Sequence, residues 1–149
     1  MTTQTLGASG KSGYTITLTS LASATYVASS AVDLSAVDPL DIVVEVSITP
    51  GTVSGNKQAV VFIQGSLDNS VFSTGPTSGT TNTDQPNLYQ IGVLALNTNS
   101  TQQTGQYSVM AALGWIPPYH KLVVLNDSGA AFSASNCSAS YATYTGNSA

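Results

Sequence analysis

Side chains capable of acid–base or nucleophilic chemistry are scarce in this chain. Its 149 residues include no arginine, three lysines, one glutamate, one histidine and one cysteine, whereas serine and threonine number 21 and 19. Most enzyme reactions need titratable groups placed against one another, because proton transfer and charge stabilisation are what side chains contribute. The composition therefore predicts a protein that holds surfaces together, without catalytic residues and without a cofactor.

His120 and Cys137 are the candidates for a general base and a nucleophile. His120 would need a nucleophile and an orienting acid nearby, and serine is so abundant that a pairing with it carries no information. Cys137 has no basic neighbour in the sequence that would lower its pKa. We therefore favour a structural histidine at the start of a strand and a small buried cysteine, and a hydrolase that uses His120 with a serine is the least favoured alternative.

Four of the seven acidic residues lie close together in the sequence, as Asp33, Asp38, Asp41 and Glu45. Calcium binds where several carboxylate and carbonyl oxygens converge within a loop, so this segment is a candidate calcium site. The spacing matches no known calcium loop, which favours aspartates at turns and a solvent-facing glutamate on a strand. One histidine and one cysteine cannot form a zinc site within one chain, and we predict no metal site.

The distribution of charge excludes some partners and favours others. Lys11, Lys57 and Lys121 are scattered, the net charge is −4, and clustered cations for phosphate contacts are missing, so we predict no nucleic-acid binding. A charge this low leaves little repulsion between copies, which favours self-association. We also expect no secretion signal, and no membrane span, because no run approaches roughly eighteen apolar residues.

Alternating apolar and polar residues predict short strands separated by turn residues along most of the chain. The predicted fold class is all-β, an antiparallel β-sandwich or jelly roll of about seven to nine strands. Residues 1–13 are predicted to form a flexible N-terminal arm, residues 14–149 a single domain, and residues 73–87 the longest loop. The predicted strands are 14–19, 25–28, 40–48, 58–64, 88–96, 106–113, 120–125 and 131–144.

Three segments carry a resemblance to a known class of protein. They are residues 61–68 (VFIQGSLD), 88–93 (LYQIGV) and 113–131 (LGWIPPYHKLVVLNDSGAA). Together they resemble small β-rich structural proteins of tailed bacteriophage virions, in particular capsid decoration or cement proteins. The resemblance implies a non-enzymatic protein on the capsid surface of the virion, assembled in the host cytoplasm. It also implies binding at gaps between capsid subunits as a homo-oligomer, with a trimer favoured.

The arm and the long loop are where we expect contacts with the major capsid protein or another virion protein. Polar loops offer adaptable hydrogen bonding, and an extended arm can add to a sheet edge of a neighbour. The alternative is a tail or fibre module that recognises a host glycan or another virion subunit through its tyrosines and Trp115. The predicted interface residues are Thr5, Leu6, Lys11, Pro76, Asp84, Pro86 and Tyr119.

Overall fold

Two antiparallel β-sheets packed face to face form the fold. The structure is a computed structural model that describes residues 4–148. Its strands are β1 (Gln4–Ala8), β2 (Ser12–Gly13), β3 (Thr25–Ala28), β4 (Val32–Asp33), β5 (Asp41–Ile48), β6 (Gln58–Ser66), β7 (Ser78–Gly79), β8 (Tyr89–Ala95), β9 (Gln103–Ser108), β10 (Tyr119–Asp127) and β11 (Ser138–Ser148). One short α-helix, α1 (Val109–Leu113), and one 3₁₀ turn (Gln85–Asn87) accompany them.

The order of the strands confirms the predicted antiparallel sandwich. The first sheet has the order β1-β11-β5-β9, with β2 also pairing with β11. The second sheet has the order β7-β3-β10-β6-β8, with β4 also pairing with β10. Three of the eleven strands span only two residues, which leaves eight longer ones, within the predicted number.

The core lies between the two sheets and follows from the alternation along β5. The inward residues of β5 are fully buried, as the sequence predicts, and they pack against apolar residues of β6 and β10. β-branched side chains fill this space well because they fit the pleated surface of a strand. The central residues of this core are Ile42, Val44, Val46, Ile48, Val61, Ile63, Leu122 and Val124.

A smaller apolar cluster covers the outer face of the second sheet. β6 and β10 carry apolar residues on both faces, so their outward side chains also need a cover. Residues 73–88 supply it, with Leu88 packed in the cluster and Gln85 donating a hydrogen bond to the hydroxyl of Tyr26. The predicted loop at 73–87 contains β7 and the 3₁₀ turn and contacts the sheet at these points, while residues 77–84 are exposed.

The prediction of a strand at residues 14–19 is wrong. Tyr14 and Leu18 are buried while Thr15 and Thr17 are exposed, so the alternation itself is present. The segment crosses between sheets: the N–H of Tyr14 donates to Ala139 of the first sheet at 3.0 Å, and the carbonyl of Thr15 accepts from Ser30, which follows β3, also at 3.0 Å. Alternation indicates that one side of a segment is buried. It does not show that another strand pairs with that segment.

Two other predicted strands have different bounds in the structure. The predicted strand at 106–113 ends at Ser108, whose Oγ accepts from the N–H of Ala111 and caps α1. Gly114 then ends α1 in the left-handed conformation, with φ of 76°. The strand predicted at 131–144 begins only at Ser138, as β11. No helix within residues 4–148 has the length and apolar character needed to cross a membrane.

Most of the predicted arm is in the first sheet. Residues 4–8 form β1 and residues 12–13 form β2, and both pair with β11. The small polar side chains of this segment do not oppose pairing, because a strand ladder is made by backbone groups. Residues 1–3, which the arm prediction also includes, lie outside the described residues.

Candidate functional site

An apolar groove opens at the end of the second sheet where β6 meets the turn that follows it. Its volume is about 530 Å³, and it is lined by a hairpin at residues 65–73, by Tyr89 and by Trp115. Leu67 and Val71 are 77% and 73% exposed, and Tyr89 and Trp115 are 39% and 37% exposed. Adjacent exposed apolar side chains on a small domain mark a binding surface more often than isolated ones do. This surface is called the apolar groove below.

The turn of the 65–73 hairpin is held by the carboxylate of Asp68. Its Oδ1 accepts hydrogen bonds from the backbone N–H groups of Val71 and Ser70, both at 2.8 Å, and from the hydroxyl of Ser66 at 3.1 Å. The Val71 and Ser70 hydrogen bonds hold the pKa of Asp68 below its ordinary value. Because the carboxylate occupies the inside of the turn, the neighbouring apolar residue Leu67 is left in solvent with Val71.

Tyr89 and Trp115 form the aromatic wall of the apolar groove. Their ring centroids lie 5.9 Å apart with the ring planes at 88°, an edge-to-face contact. Trp115 follows Gly114, the residue that ends α1, and the segment after it runs against Gly65 of β6. A Cβ at Gly65 would lie 3.2 Å from Pro117 and 3.7 Å from Trp115, so glycine permits this close approach.

The apolar groove is nearly without free charge. Among the described residues that line it, Asp68 is the one with a charged side chain, and its carboxylate is committed to the turn. Burial of exposed apolar surface stabilises a complex by about 25 cal/mol per Å² before association costs. The groove can therefore receive an apolar or aromatic side chain of a partner, and it offers few groups that would fix a charged ligand.

A second, more polar depression lies on the other side of Phe72, which lines both. It has a volume of about 750 Å³, and its exposed lining includes hydroxyls of Thr15, Thr17 and Ser30. The ammonium group of Lys121 lies 4.3 Å from the centroid of the Phe72 ring, a cation–π contact at the same place. This surface is called the polar cleft below.

His120 lies in the core and not in either depression. It is fully buried, its Nε2 shares a 2.9 Å hydrogen bond with the hydroxyl of Tyr14, and within residues 4–148 its Nδ1 has no partner. The rings of Tyr14 and Tyr141 both meet its ring edge to face. Burial lowers the pKa of His120 to about 4, so the ring is neutral at pH 7. This is the arrangement of a structural histidine.

Cys137 is half-buried between carbonyl groups. Its Sγ lies 3.6 to 3.7 Å from the carbonyl oxygens of Thr49, Ser133 and Ser135. Burial raises the pKa of the thiol, so the thiolate needed for nucleophilic attack is disfavoured. The geometry agrees with the packing role that the sequence favours.

Three of the four acidic residues of the candidate calcium site, Asp33, Asp41 and Glu45, have partners of their own. Asp33 accepts from the hydroxyl and the N–H of Ser35, which lowers its pKa, and Asp41 accepts from Ser108 and Met110. Glu45 forms the 2.8 Å ion pair with Lys11 and accepts from Gln106, and both contacts lower its pKa. Within the part of the chain that the structure describes, no three acidic, histidine or cysteine side chains converge as metal ligands would.

The structure does not bring the predicted interface residues together. Lys11 lies on the outer face of the first sheet, opposite Glu45, whereas Asp84 and Pro86 are exposed beside the 3₁₀ turn that covers the second sheet. Pro76 is buried within the chain and offers little surface to a partner. None of these residues lines the apolar groove.

The remaining predicted interface residues lie on strands. The backbone of Thr5 and Leu6 pairs with Asn147 and Gly146 of β11, and Tyr119 is half-buried at the start of β10. Sequence reasoning placed contacts where the chain is polar and rich in turns. It missed Leu67 and Val71, although two apolar residues flanking an Asp-Asn turn are the signal that could have drawn attention to them.

Comparison with protein-family models and with curated proteins finds no match for this chain. The geometry nevertheless relates the three segments quoted for the resemblance, because they occupy neighbouring parts of the second sheet. Residues 61–68 lie on β6 and its turn, residues 88–93 mostly on β8, and residues 113–131 include all of β10. Each of the three contributes to the apolar groove, through residues 65–68, Tyr89 and Trp115 respectively.

Proposed function

We propose that this chain is a non-enzymatic structural protein of a bacteriophage virion, a capsid decoration protein that binds capsid subunits through the apolar groove. The observation that carries the proposal is the convergence of the three resembling segments on that groove. A decoration protein works through many repeated contacts, each weak alone and cumulative over a shell. The proposed place of action is the outer capsid surface, after assembly in the host cytoplasm.

The state of the reactive side chains supports a role without catalysis. A general base must reach its substrate, whereas His120 is buried and bonded to Tyr14. The thiol of Cys137 has a raised pKa, and Asp68 and Glu45 are held in hydrogen bonds that lower theirs. These groups stabilise the fold, and the groove is left with shape and apolar surface as its means of recognition.

The chemistry of the apolar groove supports a protein partner. Tryptophan and tyrosine are enriched among the residues that dominate binding energy at protein interfaces, and Trp115 and Tyr89 stand at this groove. Apolar side chains of a partner that enter this groove of about 530 Å³ would displace water from Leu67 and Val71. The proposed partner is the major capsid protein or another virion protein, and neither nucleic acid nor a membrane.

Electron microscopy of the parent particle, combined with mass spectrometry of its proteins, tests this function. We expect a 15.2 kDa sandwich at repeated positions on the outer shell, with its 65–73 hairpin directed toward capsid subunits. Absence of the chain from the shell would overturn the capsid role. Attachment through the opposite end of the sandwich would overturn the assignment of the groove.

A second candidate function, a tail or fibre module that binds a host glycan, is favoured by the polar cleft. Hydroxyls of Thr15, Thr17 and Ser30 could exchange hydrogen bonds with sugar hydroxyls, and Lys121 offers one cation. A glycan array with the wild-type chain and with the Thr15→Val, Thr17→Val variant separates the two functions. Binding that is lost in this variant but kept in Thr80→Val, a change at an exposed threonine outside the cleft, would favour the glycan role.

A further inference from the structure

The outer edge of the first sheet is formed by β1. Within residues 4–148, β1 pairs with β11 alone, in a register that places Gln4 opposite Ser148 and Ala8 opposite Tyr144. A strand has two rows of backbone hydrogen-bonding groups, so one row of β1 is directed away from the sheet. At the other edge, β9 lies beside β8 of the second sheet.

The hydrogen bonds identify which residues of β1 face outward. Residues of an antiparallel pair alternate between those that exchange hydrogen bonds with the partner strand and those that do not. The N–H of Ser9 donates to the carbonyl of Thr143 at 2.8 Å, which directs the backbone groups of residues 5, 7 and 9 toward β11. The outward groups are then those of Gln4, Leu6 and Ala8.

The neighbouring contact agrees with this alternation. Tyr144 stands opposite Ala8, and its carbonyl accepts from the N–H of Leu40 at 2.7 Å, on the side of β5. The carbonyl of Tyr144 is therefore directed away from β1. The backbone groups of Ala8 consequently have no partner on β11.

The free row of β1 lacks the features that usually prevent pairing between edges. Natural edge strands carry charged side chains, prolines or bulges that block another strand. Residues 4–10 contain no charged residue and no proline, and the register with β11 runs without interruption from Gln4 to Ala8. The side chain of Ala8 is exposed and small, so it leaves this approach open.

We propose that β1 pairs antiparallel with β1 of a second copy of this chain, about a twofold axis at Leu6. In this register Leu6 lies opposite Leu6 of the second copy and Gln4 lies opposite Ala8, and each pair exchanges two backbone hydrogen bonds. The first sheets of both copies become one continuous sheet. A twofold contact uses the same surface twice, and an uncharged strand meets no repulsion from its own copy.

This contact rests on the proposed function, because it specifies that copies of a decoration protein associate with one another through β1. The twofold symmetry of this contact also differs from the trimer that the resemblance favours. A closed trimer has no twofold axis, so its copies could not pair in this register. The oligomeric state in solution therefore decides between the edge contact and a trimer.

Sedimentation equilibrium and residue-resolved amide exchange test the contact on the full chain. We expect the mass to rise from 15.2 kDa toward twice that value with concentration. The amide of Leu6 should exchange at least about 10-fold more slowly in concentrated than in dilute protein, a change that corresponds to one decade in the open fraction. The amides of Gly7 and Ser9 should be protected at both concentrations.

Ala8→Pro is the decisive variant, because it removes an outward N–H that β11 does not use, and proline is tolerated on edge strands. We expect Ala8→Pro to remain monomeric at every concentration while Ala8→Ser, which keeps the N–H, dimerises like the wild type. A wild-type monomer, a trimer, or a dimer that persists in Ala8→Pro would overturn the contact. If the wild type dimerises but binds no capsid, the proposed function fails and the β1 contact stands. If the wild type is monomeric and binds capsid, the β1 contact fails and the proposed function stands.

Discussion

Two aromatic groups lie close together in the sequence and serve opposite purposes. Trp115 is 37% exposed and meets Tyr89 at the apolar groove, whereas His120, five residues later, is fully buried between Tyr14 and Tyr141. The two groups are separated by the Pro117-Pro118 segment, which carries the chain from the rim of the second sheet into β10. The ring of Trp115 can therefore contact a partner, whereas the ring of His120 contacts only other residues of this chain.

The difference shows how position relative to the strand determines what an aromatic residue does. His120 lies on β10, where the inward side chains meet the core, and its Nε2 shares a hydrogen bond with the hydroxyl of Tyr14 at 2.9 Å. Trp115 precedes the strand, where no opposite sheet covers it. Substitutions in the buried group should change stability and leave binding intact, and substitutions at the groove should do the reverse.

Removal of the buried imidazole should have the largest effect. His120→Ala leaves a cavity and a buried Tyr14 hydroxyl without its partner, so we expect the free energy of unfolding to fall by about 3 kcal/mol. Urea titration at pH 7 measures this loss. A loss of unfolding free energy below about 1 kcal/mol would mean that the contacts of His120 with Tyr14 and Tyr141 do not stabilise the core.

Acidification should weaken the fold through the same residue. The pKa of His120 is about 4 in the folded chain and near 6.5 when unfolded, so between these values the unfolded state binds a proton that the folded state does not. Stability is therefore lost as pH falls, by about 2 kcal/mol between pH 7 and pH 5. Hydrogen bonds lower the pKa of Asp33, Glu45 and Asp68 in the folded chain, so these three carboxylates stay ionised in this window. His120→Gln should flatten the dependence, and an unchanged slope in that variant would contradict the assignment.

Removal of one hydroxyl should give a smaller effect. Tyr14→Phe leaves Nε2 of His120 without a partner in the core, and we expect a loss of about 1 kcal/mol. Tyr141→Phe is the matched control, because Tyr141 meets the same ring by its edge and is only half-buried. Chemical denaturation should separate the two variants, and equal losses would show that the hydrogen bond contributes nothing.

Substitution at the exposed wall should have the smallest effect on stability. Trp115→Ala removes a partly exposed ring that lies outside the core, so we expect the free energy of unfolding to change by less than about 0.5 kcal/mol. Thermal unfolding of the monomer checks this. A loss comparable with that of His120→Ala would mean that Trp115 belongs to the fold.

The buried core around His120 and β5 could largely be predicted from the sequence. The alternation at residues 40–48 predicts a strand, and Ile42, Val44 and Val46 form its buried face in the structure. The sequence also predicts a structural histidine at the start of a strand, where His120 lies. Alternation works there because each strand has one face toward a second sheet. It misled at residues 14–19, where burial is present without a neighbouring strand.

The apolar groove could not be predicted from the sequence, because it forms where three segments that are far apart in the sequence meet: the 65–73 hairpin, Tyr89 and Trp115. Leu67 and Val71 are exposed through the hydrogen bonds of Asp68, and Trp115 is placed by the end of α1 at Gly114. These are properties of turns and of strand register, and neither has a simple period in the sequence. The predicted interface residues follow from loop composition, which says little about where apolar surface accumulates.

Co-sedimentation with capsid particles stripped of this chain measures whether the apolar groove binds the capsid, as we propose. Leu67→Asp, Val71→Asp places two charges on the groove, and Val37→Asp places one at an apolar residue that is 41% exposed elsewhere. We predict that the groove variant loses at least about 10-fold in affinity, or 1.4 kcal/mol, while it stays folded and Val37→Asp binds like the wild type. Binding of a folded groove variant at wild-type affinity would contradict the claim.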